Sequence, residues 1–383
     1  PHHGHVGTVV SPGGTRMKLL FAIKSLDIAG GGAERVLTLV VSGLVERGHE
    51  IGILSFDTAG GNSFYPLDAR VQRICLGLGA VDAPTGAHMF TARVGALRRK
   101  LLEQRPDVAV GFMHSMFVPL SFAAVGLRIP HVASEHTVPE YYRGRSAEYA
   151  LFVAGGLLSQ RITVLSPAIR DMYPRVLRSR MVPIPNPVVT PAHAANVADS
   201  RIILAVGSLE AHKDHASLID AFALIAAQFP DWGLRIIGNG SLRGELEARV
   251  HAHHLEERIS MPGVSADIAT EYAAAAVLAV PSRFESFGMA AAEALATGVP
   301  VIGYTDCTGI RELVTHGRNG WLVSGPDRVH ALANALSRLM GDDALRARLG
   351  SAGPQVMDAY TPDRVVSLWN DMLVAVGNAR RQP

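Results

Sequence analysis

Short apolar runs alternate with amphipathic stretches along this chain, and the rhythm plays twice. Residues 18–23 read as a strand, followed by Gly30-Gly31-Gly32 and a helix over about 33–47 that ends at Gly48. Residues 50–56 and 71–76 predict further strands, and 93–104 an amphipathic helix. Short buried runs at 108–111 and 131–134 each lead into a polar loop, and 161–165 reads as the last strand of this half. Three prolines in Met181-Val-Pro-Ile-Pro-Asn-Pro187 then break the rhythm and mark a linker. The second half restarts after Asp199, with strands predicted at 202–206, 234–237, 259–261, 277–280, 299–302 and 321–323 and helices between them. Thr361-Pro-Asp caps a last helix over 365–376, with Trp369 on its apolar stripe. Alternation of this kind makes parallel sheets covered by helices, because a parallel connection needs a crossover. Ligands bind such sheets at the carboxyl ends of the strands, so two units joined by a proline linker would face each other across a cleft.

At 383 residues, 48% of them apolar, the chain can build two cored domains. Cys75 and Cys307 are far apart and have no partner spacing, which reads as a reducing compartment without a metal framework. No apolar run reaches the length of a spanning helix, and no signal peptide is visible. Residues 1–16 carry His2, His3 and His5 among glycines and prolines; they read as an upstream or tag-like extension, with a metal site as the other reading. Charge is uneven. Residues 17–190 hold 19 Lys+Arg against 13 Asp+Glu, and residues 191–383 hold 16 against 21. A basic first half suits an anionic partner, either a phospholipid surface or a diphosphate-linked substrate; a surplus that only aids solubility is the plainer reading.

The most informative stretch is Arg283-Phe-Glu285-Ser-Phe287-Gly288-Met289-Ala-Ala-Ala-Glu293. A buried strand precedes it, strong helix formers fill 290–296, and Gly298-Val-Pro300 stops the helix. A helix start behind a strand is an anion site, because its first N–H groups lack intrahelical partners. Glu285 is expected before that start and Glu293 about two turns in. A nucleotide-sugar, with phosphate at its centre and hydroxyls at both ends, has the shape to touch all three.

Other candidates sit at predicted strand ends. Lys213, in the loop from Gly207 and Ser208 to His215, could neutralise a departing diphosphate. Gly238-Asn239-Gly240 serves either as a structural turn or as a backbone cradle. Gly31 and Gly32 at a helix start permit close backbone approach. His136 and His114 could hold a sugar hydroxyl or move a proton. The stretch Arg93 to Lys100 mixes cations with leucines, either to lie on an anionic bilayer or as a domain helix with one solvated basic face. A Walker loop is absent, as are Asp-x-Asp pairs, so no metal or other cofactor is expected.

Together these motifs resemble glycosyltransferase family 4, retaining enzymes of GT-B architecture. The resemblance runs from Met17 to about Val376. It rests on Gly31-Gly-Ala-Glu-Arg-Val36, Ile184-Pro-Asn-Pro187, the segment from Gly207 to Lys213, Gly238-Asn239-Gly240, and above all the paired glutamates. It implies an α/β fold of two Rossmann-like domains facing across a cleft: 17–190 on the acceptor side, 191–358 binding the nucleotide-sugar, and 359–383 packing back on the first. It also implies roles. Glu293 would bind ribose hydroxyls and Glu285 would face the donor sugar. Phe287, Gly288 and Met289 would offer backbone N–H groups, Lys213 would contact the diphosphate, and His136 would stand beside the reacting sugar. Many members carry arginine where this chain has Ser208; either another arginine, Arg283 or Arg311, compensates, or the phosphate grip differs. The implied activity is hexosyl transfer, with retention, from a nucleoside-diphosphate donor (UDP-linked) to a lipid-linked bacterial surface glycan. The protein would then be cytoplasmic, peripheral on the inner membrane face, with no nucleic-acid partner. A nucleotide-sugar-binding scaffold without chemistry and a nucleotide-sugar epimerase are the rival readings.

Overall fold

The computed structural model describes residues 16–27, 31–58, 62–78, 86–190 and 194–379. Of the sequence expectations, residues 1–15 of the extension, Gly30 and the expected start of the second domain at 191–193 lie outside the described residues.

Two parallel sheets organise the chain. The first has strands β1 (Lys18–Ala22), β2 (Glu50–Ser55), β3 (Gln72–Cys75), β4 (Val108–Phe112), β5 (His131–Ser134), β6 (Arg161–Val164) and β7 (Met181–Pro183), in the order β3-β2-β1-β4-β5-β6-β7. The second has β8 (Ile202–Val206), β9 (Gly233–Ile237), β10 (Ile259–Gly263), β11 (Val277–Val280), β12 (Val301–Tyr304) and β13 (Gly320–Val323), in the order β10-β9-β8-β11-β12-β13. Strands such as Val108–Phe112 and Val277–Val280 are buried on both faces, so they read as unbroken apolar runs. Strand order reverses between β1 and β4 in one sheet and between β8 and β11 in the other. Ligands of doubly wound sheets bind at such switch points.

The sequence misread the end of the first half. Met181–Pro183 is not linker but the seventh strand, paired parallel to β6. It lies at the sheet edge, where a proline without an N–H is tolerated. Ile162 N–H donates to Arg180 O and Ile184 N–H donates to Val164 O.

The helix Ala87–Gln104 starts earlier than expected, and its cations divide between interior and surface. Arg93 is buried, with its guanidinium 4.5 Å from the Phe56 ring centre. Arg98 donates to the carbonyls of Ala123 and Val125, and Lys100 pairs with Glu103. Arg93 and Arg98 are thus engaged by the first lobe itself, while Arg99 is exposed and Lys100 pairs at the surface.

The last helix, Pro362–Ala379, packs on the first sheet. Trp369 sits 6.3 Å from the Phe21 ring and stacks at 5.8 Å on Phe112. Gly43 makes room for Val366, since a Cβ there would lie 2.7 Å from a Val366 methyl. Among the described residues, no helix is long and apolar enough to cross a membrane.

Candidate functional site

Loops after β8 and β11 build one wall of the site. After β8 the chain passes Gly207 and exposed Ser208, then makes a 3-10 turn at Ala211–Lys213. Lys213 folds back over Gly207, where a Cβ would come 3.4 Å from its side-chain carbons. After β11 the chain runs through Ser282 to Glu285. Three contacts zip the two loops together. Arg283 N–H donates to His212 O at 2.8 Å, the His212 and Phe284 rings stack at 5.1 Å, and Lys213 Nζ donates to Glu285 Oε1 at 2.6 Å. Ser282 Oγ donates to the same oxygen at 2.7 Å.

Two glycines close the loop from below. Gly238 has φ +146°, and a Cβ there would collide with the Gly207 carbonyl oxygen. At Gly240 a Cβ would come 2.6 Å from Leu209 O. Leu209 N–H donates to Asn239 O across this contact. Gly238-Asn239-Gly240 thus forms a tight structural turn in which backbone packs directly on backbone. Asn239 itself is exposed and accepts from Gly240 N–H.

Gly288 (φ +81°) caps the helix Met289–Thr297 in a left-handed conformation. Ile310 presses on it, so a Cβ would lie 2.8 Å from the Ile310 Cδ1. Gly309 fixes the approach: its N–H donates to Glu285 O at 3.1 Å, and a Cβ would strike that carbonyl. The Phe287 side chain is buried against Tyr360, leaving only its backbone for a ligand. Glu293 is one turn into the helix rather than two, because the helix begins at Met289.

The other wall is the start of the helix Gly32–Glu46, which follows β1. Gly32 faces Met289, whose Cγ would be 4.0 Å from a Cβ added there. Glu34 is buried and folds back over Gly31, where a Cβ would collide with its carboxylate. Arg35 reaches across and forms an ion pair with Glu293, whose other oxygen accepts from Tyr272 OH at 3.0 Å. Glycines 31 and 32, Gly288, Met289, Glu293, Glu285 and Lys213 therefore share one inter-lobe site.

His136 belongs to the first lobe and makes its own contacts there. It lies at the end of β5 with its ring 4.6 Å from Phe112 and Nε2 2.9 Å from Ser134 Oγ. Among the described residues no hydrogen bond or ion pair links it to Glu285 or Lys213. His114 packs on Tyr141 and Tyr142. Arg283 and Arg311 do not take the place of a cation at Ser208. The Arg283 side chain is 58% exposed and pairs with Asp214 at 3.0 Å, and Arg311 is exposed.

The two glutamates are electrically unlike. Burial pushes Glu285 up, but the Lys213 ammonium and the hydrogen bonds from Lys213 and Ser282 outweigh it and hold the carboxyl below its ordinary range. For Glu293 burial wins over Arg35 and Tyr272, and the carboxyl is raised. Burial depresses His136 to about 4, so its imidazole is neutral. His215, beside Lys213, is pushed down to about 4 by burial and then by that ammonium.

The sequence reading missed Arg35, Tyr272, Ser282 and Gly309. Arg35 stood inside a quoted motif; the others carry no local signal, because only the fold brings them to the site.

Residues 30–190 match the family model described as Glycosyltransferase Family 4, and residues 191–356 the one described as Glycosyl transferases group 1. A Campylobacter jejuni GalNAc-alpha-(1->4)-GalNAc-alpha-(1->3)-diNAcBac-PP-undecaprenol alpha-1,4-N-acetyl-D-galactosaminyltransferase is 26% identical over 374 residues, covering 95% of this chain and all (100%) of that protein. Sucrose-phosphate synthase of Thermosynechococcus elongatus superposes with a TM-score of 0.81 at 20% identity, over 95% of this chain and 100% of that one. Anabaena HepE in complex with UDP-glucose superposes at 0.74 with 21% identity, over 94% and 100%.

Proposed function

The chain belongs to the GT-B glycosyltransferases, a Family 4 domain followed by a group 1 domain, and from that premise we propose that it moves a hexose-type sugar from a UDP-linked donor to a hydroxyl of a growing lipid-linked bacterial surface glycan, with retained anomeric configuration. The observation that carries this reading is the pair of bridged carboxylates on either side of the Gly288 helix start. Their spacing suits a ligand that is hydroxyl-rich at both ends and anionic at its middle. Glu293 takes the ribose hydroxyls. The diphosphate rests on the N–H groups from Met289 onward. Lys213, held by Glu285, neutralises the charge that builds as the glycosidic C–O bond breaks, and no metal is needed. The acceptor oxygen bonds to the same face of the anomeric carbon and its proton passes to a diphosphate oxygen. His136 is too weak a base for that proton and offers a hydrogen bond to a sugar hydroxyl instead.

Support for the donor comes from the fold neighbour that holds UDP-glucose, and support for the acceptor from the relative that extends an undecaprenol-linked saccharide. A peripheral place on the inner membrane face fits the basic balance of residues 17–190, with 19 Lys+Arg against 13 Asp+Glu. Leu151, Leu157, Leu158 and Val176 of that lobe are exposed.

The test is a transfer assay with radiolabelled UDP-sugars and undecaprenol-linked saccharides. Glu285→Gln is expected to lower kcat by about 100-fold or more, the scale of one lost transition-state contact, while UDP affinity stays within about threefold. An active Glu285→Gln enzyme would remove Glu285 from the chemistry. Nucleotide binding without turnover on any acceptor would favour the scaffold, and donor interconversion without acceptor the epimerase.

A further inference from the structure

Arg35 is a cation of the first lobe spent on a carboxylate of the second. Its guanidinium, 28% exposed, holds the Glu293 side chain, which is 12% exposed and already accepts from Tyr272. Glu293 is also the group that Proposed function assigns to ribose, and a ribose hydroxyl donates to the same oxygens. The two cannot share them fully. Around the diphosphate position, meanwhile, the second lobe is short of positive charge: Ser208 is uncharged, Arg283 is turned onto Asp214, and the Lys213 ammonium is already paired with Glu285. Glu293 is one turn along its helix from Met289, so the carboxylate that Arg35 holds belongs to the start of that helix. A change of rotamer lets a long arginine side chain swing from that carboxylate towards the helix start. Gly32, packed opposite Met289, keeps the two helix starts close enough for the move.

We infer that Arg35 changes partner when donor binds: ribose hydroxyls replace it on Glu293, and its guanidinium passes to the diphosphate as the second cation that Ser208 does not provide. The inference rests on the donor reading above. A planar fork of N–H donors suits two phosphate oxygens better than a point charge does. The exchange also couples occupancy to lobe contact, since the residue that grips the phosphate belongs to the opposite lobe. Glu34 stays at Gly31, where it satisfies the start of its own helix.

Calorimetric titration of the full chain with UDP, uridine, GDP and guanosine tests this. In the wild type the diphosphate is expected to bind more tightly than its nucleoside. In Arg35→Ala that ratio is expected to shrink by about ten- to hundredfold, the scale of a charge-assisted hydrogen bond. Nucleoside affinity stays within about threefold or improves, because Glu293 has lost a competitor. Arg35→Lys is expected to recover part of the ratio. An unchanged ratio in Arg35→Ala overturns the inference while leaving the donor reading intact. Equal losses for nucleoside and diphosphate also overturn it, by confining Arg35 to the ribose end. If none of the four compounds binds the wild type, the donor reading fails and this inference with it. Should Arg35→Ala lack a cooperative thermal transition, the same comparison is made with Arg35→Gln and Arg35→Lys.

Discussion

Gly288 shows how much one residue decides in this site. Its positive φ and the Ile310 methyl pressed against its α-carbon exclude any side chain. Gly288→Ala is expected to cost about 1–3 kcal/mol, the usual range for a non-glycine residue held in that region, and urea denaturation measures it. The same residue aims the first amides of the helix, so the substitution should also weaken UDP binding. Glu285, Lys213 and Glu293 were legible at this scale because each stands at a fixed offset from a strand end or a glycine. Arg35 was legible only as a motif letter. Nothing local says that its partner stands 258 residues further on.

Elements were legible wherever their own periodicity decides their form. The buried strands and the amphipathic last helix were read to within a few residues. Failures came where the neighbour decides. Met181–Pro183 carries a proline that argues against a strand in isolation, yet an edge position asks no N–H of it. Arg93 and Arg98 of Ala87–Gln104 looked solvated because their partners, Phe56 and the carbonyls of Ala123 and Val125, lie outside that helix. For the last helix the stripe was plain but its dock was not. Trp369 fills the space between Phe21 and Phe112, so Trp369→Ala is expected to cost about 3–5 kcal/mol as an unfilled core cavity. Denaturant titration followed by far-UV circular dichroism reads it.

At the scale of the molecule, burial favours the neutral form of several imidazoles; His212 is lowered in this way, and three others more strongly. His131, His136 and His215 are each pushed down to about 4. The unfolded chain protonates its histidines near pH 6.5, so between about 6.5 and 4 it binds more protons than the folded one. Stability is therefore full above pH 6.5 and falls as pH drops towards 4. Thermal melts are expected to show a flat midpoint from pH 7 to 8 and a steep decline below 6.5; a midpoint independent of pH down to 4.5 would refute it. Both lobes share this dependence, since His131 and His136 belong to the first and His215 to the second.

By itself the sequence determined the parallel α/β rhythm, the division into two units and the paired-glutamate loop, because periodicity, proline and glycine act over a few residues and need no partner. Tertiary structure alone decided which cations are spent internally, that the last helix covers the first sheet, and that an arginine of one lobe holds the acid of the other. Those outcomes depend on burial and on groups meeting from separate elements, from 25 residues apart for Arg98 and Ala123 to 258 for Arg35 and Glu293, and the chain acquires them only on folding.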